Sequence, residues 1–190
     1  LPLALLHPGA QPIVVLVGLL FVAPACKVWA AGTLAQRSFV SSFDGTLQPY
    51  LEYLPDGWNA GVAYPLRVEL HGRGGNMASN ADTLLTNAAD RRGYVVAFLN
   101  GRVPWSYYVD SAAFGPGERD VFDMAADVQS RRLIDPDRIY VAGGSMGGFG
   151  SWSLALRNPG FFAAIAPGMG WTDCFQHWDG NEHTIPTNNL

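Results

Sequence analysis

The stretch GGSMG, residues 143–147, follows the apolar run Ile139-Tyr140-Val141-Ala142 and precedes further small residues. This pattern is typical of a nucleophile elbow, in which a serine lies on a strained turn between a strand and a helix. Glycines two residues before and after the serine let the backbone pass closely. The motif alone has little weight, because a chain with this much glycine gives roughly 0.1 chance matches. Its meaning depends on the surrounding segments.

Strand-like and helix-like patterns alternate on both sides of the elbow. Short apolar runs indicate buried strands, and apolar residues spaced three and four apart, such as Ala81, Leu84, Leu85 and Ala88, indicate amphipathic helices. Alternation of this kind predicts an α/β fold with a mostly parallel sheet and helices on both faces. We predict strands over 65–70, 94–99, 139–142 and 161–166, and helices over 78–92, 120–132 and 146–157.

A hairpin signal precedes this alternating region. Residues 38–43 and 47–53 flank Asp44-Gly45, and the glycine supplies the positive φ that a tight turn needs. Pro49 cannot donate a backbone hydrogen bond, which favours a position at the sheet edge for the second strand.

Two glycine-rich corners are expected at the same edge of the sheet. His71-Gly72-Arg73-Gly74-Gly75 follows the third strand, and the elbow follows the strand at 139–142. Parallel sheets bind ligands at the carboxyl ends of their strands. The fold should therefore bring these two distant segments together.

Several further motifs occur in a fixed order around the corners: GERDV at 117–121, IDPDRIY at 134–140, GSMGG at 144–148 and FFAAIAP at 161–167. Together they resemble the secreted esterases of the polyhydroxybutyrate depolymerase and feruloyl esterase type, which are close to the prolyl-oligopeptidase-like hydrolases. The similarity covers roughly residues 39–170. It implies an α/β-hydrolase fold, with the last two strands expected after Leu190.

The resemblance implies a role for each matching position. Ser145 would be the catalytic nucleophile that attacks an ester carbonyl and forms an acyl-enzyme. The backbone amides of Met146 and Arg73 would form the oxyanion hole. His71 would shape the corner rather than act as a base.

The acid and histidine of the family's triad are expected beyond Leu190, each at the end of its own strand. Asp179 and His183 occur in the right order near the end of the chain. We reject them as triad members, because one four-residue segment cannot present both groups as separate strand ends do.

Three functions stay open from the sequence. The first is a serine esterase acting on carboxylic esters, and the second is a serine peptidase of the prolyl-oligopeptidase type. The third is a protein that keeps the hydrolase fold for binding, or an inactive fragment, since no acid and histidine are visible to activate Ser145.

Aromatic residues after the fourth strand offer candidate substrate contacts. Trp105 and Tyr108 could line an acyl pocket, or could pack their loop onto the domain. Glu118, Asp120 and Asp123 are expected to cap and solvate the helix that follows. No metal-ligand spacing or phosphate loop is visible, so no metal or cofactor is expected.

Composition limits the remaining possibilities. The net charge of −4, without long runs of like charge, argues against a nucleic-acid partner. Residues 1–30 resemble a secretory leader with an apolar run at 13–22, too short for a stable membrane span, so we expect a secreted or periplasmic location. The hydrolase domain is predicted over 36–190. Cys174 would have no partner once the leader, which holds Cys26, is removed.

Overall fold

Six strands and three helices alternate along the chain in the computed structural model, which describes residues 32–102, 108 and 116–170. In chain order the elements are β1 Thr33–Val40, β2 Leu47–Leu54, β3 Tyr64–Leu70, α1 Thr83–Arg92, β4 Val95–Leu99, α2 Pro116–Arg131, β5 Ile134–Gly144, α3 Met146–Arg157 and β6 Ala164–Gly168.

The strands form one sheet in the order β1-β2-β4-β3-β5-β6. The four strands β4, β3, β5 and β6 are parallel, whereas β1 and β2 form an antiparallel hairpin that joins β4. The predicted hairpin and the mostly parallel sheet are confirmed. The carboxyl ends of β3 and β5 therefore meet at one edge, as a ligand site in this architecture requires.

The edge position predicted for β2 is wrong. This strand lies between β1 and β4, and β1 is the outermost strand on that side of the sheet. Pro49 faces Ser38 of β1, and pairing with β4 begins only at Tyr50. The proline is tolerated inside the sheet because it lies just beyond the end of the second ladder.

Two apolar clusters cover the two faces of β4, as predicted for a strand enclosed on both sides. Val95, Ala97 and Leu99 belong to the larger cluster, which also contains the buried faces of β3, α2 and α3. Val96 and Phe98 point to the opposite face and pack with α1. All five residues of β4 are buried, so this strand stabilises both layers.

Helix α1 begins later than predicted. Asp82 is its N-cap and accepts a hydrogen bond from the Leu85 N–H at 2.8 Å, so residues 78–82 precede the helix. Of the predicted apolar stripe, Ala81 and Leu85 pack against the cluster that contains the fully buried Ala89, whereas Leu84 is 76% exposed. Gly93 ends the helix with φ 66°, as predicted.

Helix α2 begins earlier than predicted, at Pro116, a residue suited to a first helical position. The expectation that its acidic residues are solvated is wrong for Glu118 and Asp120, which are 0% and 1% exposed. Glu118 accepts hydrogen bonds from Arg157 and Asn158 of the α3 C-terminus. Glu118 therefore connects α2 to the end of α3. Of the three acidic residues, Asp123 alone is partly solvated, and it accepts hydrogen bonds from Ser42 in the hairpin turn.

Strand β6 differs from its prediction in position and burial. It runs from Ala164 to Gly168, and its alternate residues are exposed in the described structure, so it is not the fully buried strand expected over 161–166. Phe161 and Phe162 precede it and pack against Phe122 of α2, with ring centroids 4.8 Å and 6.1 Å away. Aromatic packing, rather than sheet pairing, accounts for the start of that apolar run.

Strand β5 contains an excursion where a turn is predicted. Tyr64 pairs with Ile134 and Leu66 with Ile139, so four residues of β5 face one residue of β3. Asp135 closes the excursion by accepting hydrogen bonds from the Asp137 N–H and the Arg138 guanidinium. Regular pairing resumes at Ile139 and continues to the elbow.

No helix in the described ranges is long and apolar enough to cross a membrane. The leader-like segment at 1–30, both cysteines and Trp105 lie outside the described residues.

Candidate active site

Ser145 lies between the end of β5 and the first residue of α3, in a conformation that non-glycine residues rarely adopt. Its φ is 54° and its ψ is −117°. Such strain costs about 1–3 kcal/mol and persists only where the surroundings impose it. The residue is exposed, although its neighbours on both sides are mostly buried. The strand-to-helix turn therefore presents the serine side chain to solvent.

Two glycines allow the elbow to pack against the end of β3. A Cβ added to Gly143 would lie 2.5 Å from the carbonyl oxygen of Leu70, and one added to Gly147 would lie 2.2 Å from the same oxygen. Both distances are too short for any side chain. The glycines of the motif are thus required by close backbone approach, as the sequence pattern predicts.

The amide of Ser145 itself is already engaged. Its N–H donates a hydrogen bond of 2.8 Å to the carbonyl of Gly168, at the end of β6. Met146 is the first residue of α3, and first-turn amides have no acceptor within their own helix. The helix dipole also places partial positive charge at this end. The Met146 N–H therefore has no acceptor within α3, whereas the Ser145 N–H is bonded to β6.

The corner after β3 lies beside the elbow. A Cβ added to Gly72 would be 3.7 Å from the Cβ of Ser145 and 3.4 Å from the carbonyl of Gly144. The corner closes as a turn, in which the Gly75 N–H donates to the Gly72 carbonyl at 3.0 Å. The parallel sheet therefore brings the two glycine-rich segments together, as predicted.

The ring of His71 is buried, and its two nitrogens lie next to main-chain oxygens. Its Nδ1 lies 2.7 Å from the Gly72 carbonyl oxygen, and its Nε2 lies 2.8 Å from that of Asn100. Both ring nitrogens are thus occupied within the corner. This environment agrees with the shaping role that the resemblance implies and gives the ring no hydrogen bond to Ser145.

Tyr108 has a different environment from the one predicted for a pocket residue. It is 1% exposed, and its hydroxyl lies 3.0 Å from the His71 N–H, from which it accepts a hydrogen bond. Burial raises the pKa of this phenol, so the hydroxyl is neutral. Direct contact of Tyr108 with a substrate stays a prediction that this burial does not favour.

Several residues near the corners were not identified from the sequence. The carbonyl oxygen of Asn100 contacts the Nε2 atom of His71. Asn80, in the loop before α1, donates hydrogen bonds to the Glu69 carboxylate and to the Leu70 carbonyl. Met169 follows β6 with φ 52° and is 84% exposed. A methionine between two glycines at the carboxyl end of a strand is the signal that could have indicated this position.

A charged cluster fixes the start of the segment that follows β4. Arg102 donates hydrogen bonds to Asp120 of α2 and to Asp44 of the hairpin turn. Asp120 and Asp44 raise the pKa of Arg102, and Arg102 in turn holds the pKa of Asp44 well below its usual range. Asp120 also accepts a bond of 2.6 Å from the Ser41 hydroxyl. The hairpin, β4 and α2 are joined at this point.

The described residues do not supply a complete catalytic triad. His71 is the one histidine among them, and its ring nitrogens contact the carbonyl oxygens of Gly72 and Asn100 rather than the hydroxyl of Ser145. In the same part of the chain, no group of three or more His, Cys, Asp or Glu side chains is arranged to hold a metal ion. Asp179 and His183 lie outside the described residues.

A serine on a strand-to-helix elbow, at the carboxyl edge of a mostly parallel sheet and beside a glycine corner from the adjacent strand, defines the α/β-hydrolase class. The family model described as "Esterase PHB depolymerase" matches residues 48–177, which is more than half of the chain. The chain belongs to this esterase family, as its motifs predict.

One known relative and several solved structures are similar to this chain. NocK of Nocardia uniformis subsp. tsuyamanensis, which carries the name of an esterase, is 32% identical over 108 residues, or 54% of this chain and 31% of its own. A ferulic acid esterase superposes with a TM-score of 0.62 at 19% identity, over 72% of this chain and 59% of that one.

The fluorophosphonate-binding serine hydrolase FphF of Staphylococcus aureus superposes with a TM-score of 0.59 at 21% identity, over 73% and 57% of the two chains. At these identities the structures support the fold alone. The chain spans less than two thirds of the length of each of these three proteins.

Proposed function

We propose that this protein is a serine esterase that cleaves carboxylic esters through an acyl-enzyme formed on Ser145. The observation that carries the proposal is the exposed serine at φ 54°, held between two glycine-dependent contacts and facing the His71–Gly75 corner. An unstrained turn residue would connect β5 to α3 at a lower cost in free energy. The strained, exposed serine at this edge therefore indicates a functional role. Membership of an esterase family supports the same function.

In the proposed reaction the Ser145 hydroxyl attacks the ester carbonyl carbon. The carbonyl oxygen becomes an oxyanion, which the amides of Met146 and Arg73 would stabilise. The alcohol leaves with a proton, and water then attacks the acyl group and releases the acid. Backbone donors suit this task because they are fixed before charge develops, and loss of one costs about 3 kcal/mol of transition-state stabilisation.

The Ser145 hydroxyl needs a base to accept its proton, since a free serine is a weak nucleophile. The described residues offer none, because both ring nitrogens of His71 are occupied by carbonyl oxygens. The proposal therefore includes a histidine and an acid outside the described residues. Each would follow a strand of its own.

Labelling of the full-length gene product with a fluorophosphonate probe tests the proposal. One equivalent should attach to Ser145, and Ser145→Ala should abolish both labelling and hydrolysis of a short-chain aryl ester, by at least about 10³-fold in kcat. Ser130→Ala is the matched control, because Ser130 is exposed on α2 and away from the elbow. Equal labelling of the wild type and Ser145→Ala would contradict the proposal.

Relative turnover of two substrates tests the ester preference. A short-chain aryl ester should be cleaved far faster than a proline amide, because an ester has the better leaving group and an esterase need not protonate an amine. Faster cleavage of the proline amide would instead support a peptidase of the prolyl-oligopeptidase type. Absence of turnover and of labelling would support a binding role for the hydrolase fold.

An extracytoplasmic location is part of the proposal and depends on the leader-like segment. The apolar run at 13–22 is followed by Ala23-Pro24-Ala25 and Val28-Trp29-Ala30, either of which resembles a secretory cleavage site. Fusion of residues 1–30 to a reporter enzyme without its own signal should direct the reporter out of the cytoplasm. A reporter that stays uncut in the cytoplasm would contradict this location.

A further inference from the structure

Tyr108 lies where the pairing of β3 with β5 ends and the His71–Gly75 corner begins. The last pair between β3 and β5 is Leu70 with Gly143, so the main-chain groups of His71 lie beyond the ladder. The Tyr108 hydroxyl forms hydrogen bonds with both of these main-chain groups. It accepts from the His71 N–H at 3.0 Å and lies 3.3 Å from the His71 carbonyl oxygen, to which it donates. One side-chain hydroxyl thus replaces a neighbouring strand.

The ring of Tyr108 is wedged between the corner and the helix that carries the elbow. Its centroid is 5.7 Å from that of the His71 ring, with the planes at 72°. On the other side it contacts α3, where a Cβ added to Gly150 would lie 2.9 Å from Tyr108 carbon atoms. The ring is therefore held by packing, and the position of its hydroxyl is fixed.

The hydroxyl is connected to the amide of Arg73 through a short series of contacts. His71 carries the two main-chain bonds to Tyr108, and its ring Nδ1 lies 2.7 Å from the Gly72 carbonyl oxygen. The peptide that joins Gly72 to Arg73 is planar and trans, so its N–H points away from its carbonyl. Whatever fixes the direction of the Gly72 carbonyl also fixes the direction of the Arg73 N–H.

We propose that Tyr108 is a positioning residue for the oxyanion hole: its hydroxyl holds the His71 backbone so that the Arg73 amide points to the developing oxyanion. This inference rests on the proposed function and assigns Tyr108 a task other than lining a substrate pocket. The hydroxyl touches no reacting atom. Its effect appears only when charge develops on the substrate oxygen, so it should influence kcat far more than KM.

The test is Tyr108→Phe in the full-length gene product. The phenyl ring keeps the packing against His71 and Gly150, while the His71 N–H loses its acceptor. We expect kcat for a short-chain aryl ester to fall about tenfold with KM changed by less than about twofold, a smaller loss than removal of a direct oxyanion donor gives. The inhibition constant of a trifluoromethyl ketone that mimics the tetrahedral intermediate should rise by the same factor as kcat/KM falls.

Tyr50→Phe is the matched control. Tyr50 is also fully buried, and its hydroxyl donates a bond of 2.7 Å to Asp127 of α2; two strands separate its strand, β2, from β5. Both variants should lose a similar amount of thermal stability, but Tyr50→Phe should keep wild-type kcat and inhibitor affinity. This comparison separates positioning from a general loss of stability.

An unchanged kcat and inhibitor constant in Tyr108→Phe would overturn the inference while the proposed function stands. Equal losses in both tyrosine variants would overturn it as well, because the hydroxyl would then act on stability alone. A wild-type protein that neither labels nor hydrolyses esters would remove the proposed function, and the positioning role with it. Gly150→Ala gives a second reading: displacement of the Tyr108 ring should also lower kcat without a matching change in KM.

Discussion

The elbow edge and the hairpin side of the molecule are held together by different kinds of interaction. Around Ser145 the contacts are made by main-chain groups and glycines, with the carbonyl of Leu70 seated against Gly143 and Gly147. Around the hairpin they are made by buried ionic groups, such as Glu52 with Arg132 and Arg37. The first region allows almost no change in backbone position, whereas the second depends on charge compensation.

This difference separates the backbone geometry of the candidate site from the stability of the fold. Backbone dipoles at the elbow edge are fixed and need no side chain, which would suit the proposed stabilisation of an oxyanion. Buried carboxylates on the hairpin side stabilise the fold only while their cationic partners are present. Substitutions in the two regions should therefore have different effects on stability and labelling.

Gly147→Ala should have the largest effect, because its Cβ would lie 2.2 Å from the Leu70 carbonyl oxygen. We expect a loss of about 3 kcal/mol or more in the free energy of unfolding, measured in urea. Labelling by the fluorophosphonate probe should also be lost. Gly61→Ala is the control, since its Cβ would meet nothing closer than 3.4 Å. Wild-type labelling by Gly147→Ala would contradict the proposed close approach.

Arg132→Met should reduce stability without disturbing the elbow. Its guanidinium donates two bonds, of 2.9 and 2.8 Å, to Glu52, whose side chain is fully buried. Loss of one partner of a buried pair costs about 3 kcal/mol. At temperatures where the variant is folded, the labelling rate should match the wild type. Arg138→Met, at a more exposed pair with Asp135, should cost less than about 1 kcal/mol.

The pH dependence of unfolding sharpens the same comparison. Burial favours the neutral form of Glu52, but the two arginines outweigh it and hold its pKa below the ordinary value of 4.5. Its contribution to stability is therefore complete above about pH 4.5 and is lost as the pH falls through the folded-state pKa. Glu52→Gln should flatten the decline of the unfolding free energy in this acid range. An unchanged slope would exclude Glu52 as a source of the decline.

Met169→Ala should have the smallest effect and should concern substrate range alone. Its exposed side chain lies at the elbow edge, where Met169 Cε would be 4.0 Å from a Cβ on Gly144. The KM for esters of longer acyl chains should rise about threefold, while stability stays constant. Leu133→Ala, an exposed residue just before β5, is the control and should leave KM unchanged. Equal KM values for Met169→Ala and the wild type would exclude the contact.

The elbow edge was predictable because its signals are local. Glycines two residues from a serine between a strand and a helix report a backbone requirement, and alternation of segments predicts which corners meet. The same local reading identified the buried face of α2 and the end of α1 at Gly93. It was wrong at Pro49, where the local rule that a proline lies in an edge strand was applied. The rule could not account for β4, which pairs with β2 only from Tyr50 onward.

The partners of the buried charges were not predictable, because they are far apart in sequence. Glu118 is in contact with Arg157 and Asn158, about 40 positions away, and a pattern of charges on one helix does not reveal such a pair. Charged residues are usually solvated, so solvation was the reasonable expectation. The burial of Tyr108, which was predicted as a pocket residue, was missed for a similar reason: its hydroxyl is bonded to the backbone of His71, 37 positions away.

The excursion at residues 135–138 has a consequence for how the chain tolerates insertions and deletions. The pairing of Leu70 with Gly143 places the corner on the elbow, and the irregular residues lie at the opposite end of β5. A residue gained or lost there can be absorbed as a looser or tighter loop, whereas one gained between Ile139 and Gly143 would move every later residue to the other face. Length variation should therefore accumulate at the far end of β5 and leave the spacing from Ile139 to Ser145 constant.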